Sequence, residues 1–151
     1  MRILIIFIMF FGLSCQCVLA QNLKFQQGLA DSLGADQYGM KSYIFVILKT
    51  GHDTITDKKR RSELFRGHMQ NIKRLADEGK LIVAGPFGKN EREYRGLFIL
   101  DVKTIEEATK LVQTDPAVQA GIFDMDLIEW YGSAALPMYL KYNDMISKEN
   151  P

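Results

Sequence analysis

Proton chemistry needs a histidine or a carboxylate held in a defined place, and this chain has only two histidines. His68 is the informative one. On a helical wheel it falls between Phe65, Ile72 and Leu75, at the centre of an apolar face, so it points toward a protein interior rather than toward water. Two readings stand for it: a buried histidine satisfied by one hydrogen bond, or a general acid–base in a pocket between helix and sheet. Arg61 lies seven residues earlier, two turns back on nearly the same face, and is a candidate for holding an anionic group. Asp115 precedes Pro116, which is the signature of a helix N-cap with proline at the first helical position. The same geometry anchors a carboxylate rigidly, where it could orient an imidazole. The Gly85-Pro86 loop is a second candidate for positioning a ligand. His52, beside Gly51 and Asp53, reads as exposed. Asp124 and Asp126 share one face of a strand with Ile128 and Trp130, lining either a pocket or the wet edge of a dimer. Trp130 and Tyr131 read as core or interface.

Other chemistries lack their residues. There is no H-E-x-x-H, no G-x-G-x-x-G and no G-x-S-x-G. Gly85-Pro86-Phe87-Gly88-Lys89 lacks the spacing of a Walker loop. Two histidines exclude a multi-histidine metal centre within one chain. The expectation is therefore no metal and no cofactor.

The elements that must position these residues begin after an export signal. Arg2 is a short basic region, Ile3 to Leu13 is an apolar run of signal-peptide length, and Val18-Leu19-Ala20 places small or short residues at a cleavage site. Residues 1–20 are read as a removed signal peptide, cleaved near Ala20-Gln21, giving a periplasmic or secreted protein with no membrane attachment afterwards. An uncleaved anchor and lipoprotein processing at Cys15 or Cys17 are the alternatives. Cleavage removes both cysteines, so the remaining chain would rest on its core without a disulfide. It also removes Arg2, which takes the 19 basic residues to 18, against 18 acidic ones. Such a balance carries no basic footprint for nucleic acid. Apolar residues at 47% and charged residues at 25% suit a single globular domain.

Residues 21–41 read as an arm with one weak helical turn. Tyr43 to Leu48 is an unbroken run of β-formers and predicts a strand. Residues 58–78 predict a helix, with Leu64, Phe65, Met69, Ile72, Leu75 and Ala76 inward and Gly79 ending it. Leu81 to Ala84 and Tyr94 to Val102 form a predicted hairpin. Thr104-Ile105-Glu106-Glu107 is a capping box opening a second helix. Asp115-Pro116 opens a short turn ending at Gly121, and Ile122 to Tyr131 is the fourth strand. The tail from Ser133 is expected to add one helix against the body. The order is β-α-β-β-α-β, an α+β, ferredoxin-like arrangement.

Both faces of this sheet ask for burial. Tyr43, Phe45 and Ile47 lie on one side of the first strand, and Ile44, Val46 and Leu48 on the other. Two helices cover one side. A second copy of the chain is the simplest cover for the other, giving a homodimer through the sheet face. The alternative is cover by the arm and the tail, which have few regularly spaced bulky apolar residues.

Three segments together resemble the YciI-like, or YCII-related, family: His68 through Asp77-Glu78-Gly79, the strand end Ala84-Gly85-Pro86, and Asp115-Pro116-Ala117-Val118-Gln119-Ala120-Gly121. They occur in the family's order and spacing within residues 42–131. The resemblance implies a ferredoxin-like fold of the dimeric α/β barrel type and places the family's His–Asp pair on His68 and Asp115. It also implies acid–base chemistry on small molecules, such as elimination or hydrolysis on ring compounds, by a cofactor-independent lyase or hydrolase. Residues 1–20, the arm at 21–41 and the tail at 132–151 depart from the usual small member of the family. A non-catalytic ligand-binding or sensor module, using the same pocket, is the competing function. A purely structural dimer with a buried polar pair is the third.

Overall fold

The structure, a computed structural model, describes residues 24–148 apart from the side chain of Asp144. The expected signal segment lies outside the described residues. Helix α1 (Gln27–Leu33) is the one helical element of the arm. Strand β1 (Met40–Thr50) follows, then α2 (Lys58–Asp77), β2 (Leu81–Pro86) and β3 (Tyr94–Leu100). Helix α3 (Ile105–Val112), the single turn α4 (Pro116–Gln119) and β4 (Phe123–Ser133) complete the β-α-β-β-α-β body. A 3-10 turn (Leu136–Tyr139) runs into α5 (Leu140–Ile146). Among the described residues no helix is long and apolar enough to cross a membrane.

The strands lie in the order β2-β3-β1-β4, with every neighbouring pair antiparallel. This is the ferredoxin-like α+β sheet. Its two faces follow from the alternation along β1. Ile44, Val46 and Leu48 face α2 and α3, where they pack with Leu75, Leu81, Phe98, Leu100, Ala108 and Val112 in the main core. Each such aliphatic side chain, fully buried, stabilises the fold by about 1.5–3 kcal/mol in transfer terms. The helix ends are where local sequence puts them. Asp57 accepts from the Lys59 amide at 2.9 Å and starts α2. Gly79, at φ 67°, takes the left-handed turn that ends it, a conformation costly for a residue with a Cβ. Thr104 accepts from the Glu107 amide at 3.1 Å, but the expected capping box is only half made. The Glu107 carboxylate pairs instead with Lys80, 3.2 Å away, because the chain after α2 brings that ammonium within reach.

The opposite face differs from the sequence reading in one respect. Its cover is partly internal. Tyr43, Ile82 and Ile99 are buried there under Leu136 and Leu140 of the C-terminal segment. The Tyr43 hydroxyl donates to the Ser133 carbonyl at 2.8 Å, and the Tyr139 hydroxyl donates to the Ile82 carbonyl on edge strand β2. Tyrosine and leucine without helical periodicity do this work, so a search for regularly spaced apolar residues does not find it. The rest of that face stays open: Phe45, Ile47 and Leu97 are half-buried, and Ile128 is 51% exposed.

Candidate active site

Helix α2 carries two stripes. Leu64, His68, Asn71 and Leu75 recur at four, three and four residues and are its buried residues. Phe65, Met69, Ile72 and Ala76 form a neighbouring stripe that lines a cleft instead. The apolar face is wider than a core contact needs because the helix meets both the sheet and the cleft. His68 belongs to both stripes.

The single turn α4 brings the carboxylate to the ring. Asp115 is fully buried, and its two oxygens have separate tasks. Oδ1 accepts the Ala117 amide at 2.8 Å, which is the cap. Oδ2 lies 2.6 Å from Nδ1 of His68. Residues 47 positions apart thus meet, and the structural and the orienting readings of Asp115 are met by different oxygens. The carboxylate can only accept, so Nδ1 carries the proton and donates it. The ring lies against Phe123, tilted with centroids 5.1 Å apart, and stacks on Phe98 at 6.1 Å. Among the described residues Nε2 has no hydrogen-bond partner, and no buried side-chain nitrogen or oxygen is left unpartnered. Nε2 is therefore not sealed off, and His68 is among the residues that line the cleft.

The cleft has a volume of about 1060 Å³. Phe65, Met69 and Ile72 form one wall, Leu48, Phe98 and Phe123 the floor, and the β2–β3 hairpin from Gly85 and Pro86 to Arg95 the rim. Tyr139, Leu140, Asn143 and Ser147 of the C-terminal segment line its far part. Burial pushes the Tyr139 phenol up from its ordinary value, so it serves as a neutral donor to Ile82.

Gly85 and Pro86 line the cleft as the sequence suggested, but Arg61 does not. Its guanidinium makes a two-pronged pair with Asp53, at 2.8 and 3.3 Å, and donates to the Ile55 carbonyl. The Arg61 bond and the Ile55 amide hold the Asp53 carboxyl below the usual carboxylate range. Seven residues keep Arg61 on the face of His68, but at 1.5 Å per residue they set it roughly 10 Å along the axis. There the 51–57 loop folds back and takes it. His52 is exposed. Asp124 and Asp126 are off the cleft, both facing Lys49, which lies 2.7 Å from Asp126 and 3.8 Å from Asp124. Among the described residues no group of three histidine, cysteine, aspartate or glutamate side chains could hold a metal ion.

Two positioning features escape a reading of the sequence. Asn71 is buried and takes hydrogen bonds from Arg74 at 2.8 Å and Thr114 at 2.9 Å, tying α2 to the residue before Asp115. A polar residue three positions after His68 on the buried stripe was the available signal. Gly67, next to His68, lets the helix approach Pro116 closely.

The pattern of the YCII-related domain matches residues 43–131. Uncharacterized protein YjpA of Bacillus subtilis strain 168 is 26% identical over 91 residues, which are 60% of this chain and 95% of that protein. Among solved structures, a 5-chloro-2-hydroxyhydroquinone dehydrochlorinase of Burkholderia phenoliruptrix AC1100, in complex with 2,5-dihydroxybenzoquinone, superposes with a TM-score of 0.42. It shares 21% identity and covers 58% of this chain and 92% of that one. A likeness of that size says nothing about the substrate here.

Proposed function

The chain belongs to the YCII-related domain family, and from that premise we propose that it binds a small molecule in the cleft beside His68 and moves a proton on it. One observation carries the reading: Nδ1 of His68 is bound to the buried Asp115 at 2.6 Å while Nε2 is left for the cleft. With the proton fixed on Nδ1, the Nε2 lone pair is the base. It takes a proton from an acidic C–H or O–H of the ligand, or from a water that attacks it. Asp115 stabilises the imidazolium that results, as a carboxylate does in a triad. The same Nε2–H then returns the proton to the leaving group or product. Elimination and hydrolysis both fit this cycle, and proton transfer of this kind draws on no cofactor. The apolar lining of Phe65, Met69, Phe98 and Phe123 favours a ligand with a ring or other apolar body.

A binding module is the second reading. Among the described residues no serine hydroxyl hydrogen-bonds to His68, so the ring activates no nucleophile of its own chain. We also propose export with cleavage near Ala20, and a homodimer through the open part of the outer sheet face, supported by the exposure of Ile128 and Trp130 there.

Mass spectrometry of small molecules retained through native purification tests the reading, followed by turnover assays on whatever is found. Loss of turnover by about 10²–10⁴-fold in His68→Ala supports the enzyme. A ligand held but never converted favours the binding module. A ligand whose affinity and conversion ignore His68 refutes both.

A further inference from the structure

We propose that Gly67 is a positioning residue, whose missing side chain sets how deeply Pro116 seats against α2 and thereby the length of the His68–Asp115 hydrogen bond. Gly67 lies inside α2, where glycine is a poor helix former, and its φ is not in the left-handed region. Backbone freedom is therefore not its reason. Space is. A Cβ built at Gly67 would stand 2.9 Å from Cγ of Pro116, 3.3 Å from its Cβ and 3.7 Å from its Cδ. Carbon atoms settle at about 3.5–4.0 Å, so a methyl group would push the two elements apart by roughly 0.6 Å or more. The neighbours in sequence are the pair itself. His68 follows Gly67, and Asp115 precedes Pro116 in a turn of four residues that has little room to absorb the shift. A hydrogen bond of 2.6 Å would lengthen beyond 3 Å and weaken.

The inference rests on the reading of His68 and Asp115 as the working pair, but its test does not need the substrate. The chain has two histidines, so ring signals in a ¹⁵N-labelled sample are few and that of His68 is readily assigned. In Gly67→Ala the Nδ1 proton of His68 should move upfield and lose protection from exchange. Adding Pro116→Ala removes Cγ and Cδ, leaves only Cβ at 3.3 Å, and should bring the signal most of the way back to that of the wild type. Ligand conversion should fall and recover in step with it. An unchanged His68 signal in folded Gly67→Ala, or no recovery in the double variant, would overturn the proposal. Should Gly67→Ala fail to fold, the double variant alone decides: it must fold with a signal close to that of the wild type. Ring signals that respond as expected while conversion does not would leave the positioning intact and refute the function assigned to the pair.

Discussion

Replacing Asp115 by asparagine separates a working pair from a structural one. In the wild type Oδ1 accepts the Ala117 amide at 2.8 Å and Oδ2 accepts from His68 at 2.6 Å. Asparagine has one acceptor oxygen and one amide nitrogen. If the oxygen keeps the cap, the nitrogen faces Nδ1, and the ring must give up the proton there and carry it on Nε2. The base in the cleft then becomes a donor. Stability changes little, because an ionic hydrogen bond of about 1.5–3 kcal/mol is exchanged for a neutral one of about 0.5–1.5 kcal/mol, a net loss of about 1–1.5 kcal/mol. Asp115→Ala behaves differently. It loses the cap, worth about 1 kcal/mol, and strands a buried ring N–H at about 1–3 kcal/mol, so the loss is about 2–4 kcal/mol. Urea unfolding measures both, and ring ¹⁵N shifts report the tautomer. A working pair predicts that asparagine costs activity or ligand response by about two orders of magnitude or more despite its small effect on stability. Full function in Asp115→Asn, with the proton found on Nε2, would refute the assignment of Nε2 as the base.

Three further outcomes are expected. Phe45 lies on the sheet face away from α2 and α3, paired with Ile99 and Ile128, so Phe45→Glu should abolish the proposed self-association in sedimentation; a wild type that is monomeric at micromolar concentration removes that proposal. Burial pushes the Tyr43 phenol up to about 12, so the unfolded chain ionises first. Stability should hold below about pH 10 and fall as pH rises toward 12, a loss missing from Tyr43→Phe in alkaline melting curves. Protein isolated from its native host should begin at Gln21 by intact-mass spectrometry, whereas a chain starting at Met1 or carrying lipid on a cysteine contradicts export by simple cleavage.

Local signals carried far in this chain. The left-handed Gly79 and the Thr104 cap act within a few residues of themselves, and the structure has each where its sequence places it. Gly85 and Pro86, expected as a loop after a strand ending at Ala84, are instead the last two residues of β2, paired with Leu97 and Gly96. The meeting of His68 and Asp115 was implied by the family resemblance; the residues alone gave a histidine turned inward and a carboxylate held rigidly by a cap, and did not join the two. What failed were statements depending on distance between elements. A helical wheel shows Arg61 two turns back on the face of His68 but not the 51–57 loop that folds over it, whose Asp53 takes the guanidinium away from the cleft. Gly67 has no meaning until Pro116 is seen against it. Asn71 and Thr114 are ordinary polar residues until the hydrogen bond between them is drawn. The C-terminal segment eluded periodicity because its cover comes from separate contacts at Leu136, Tyr139 and Leu140.

The cleft is made from two stretches of chain with different ties. The domain match ends at residue 131 and contains both His68 and Asp115, yet the cavity wall continues through Tyr139, Leu140, Asn143 and Ser147. His68 and Asp115 are anchored by α2 and α4, and among the described residues their side-chain hydrogen bonds run to each other and to the Ala117 amide, none to the 136–147 stretch. Exchange, shortening or redesign of that stretch therefore alters the shape offered to a ligand while the 2.6 Å pair stays as it is. If the proposed function holds, proton transfer and ligand choice would reside in separable stretches of one small polypeptide, and the second could drift, or be engineered, without re-inventing the first.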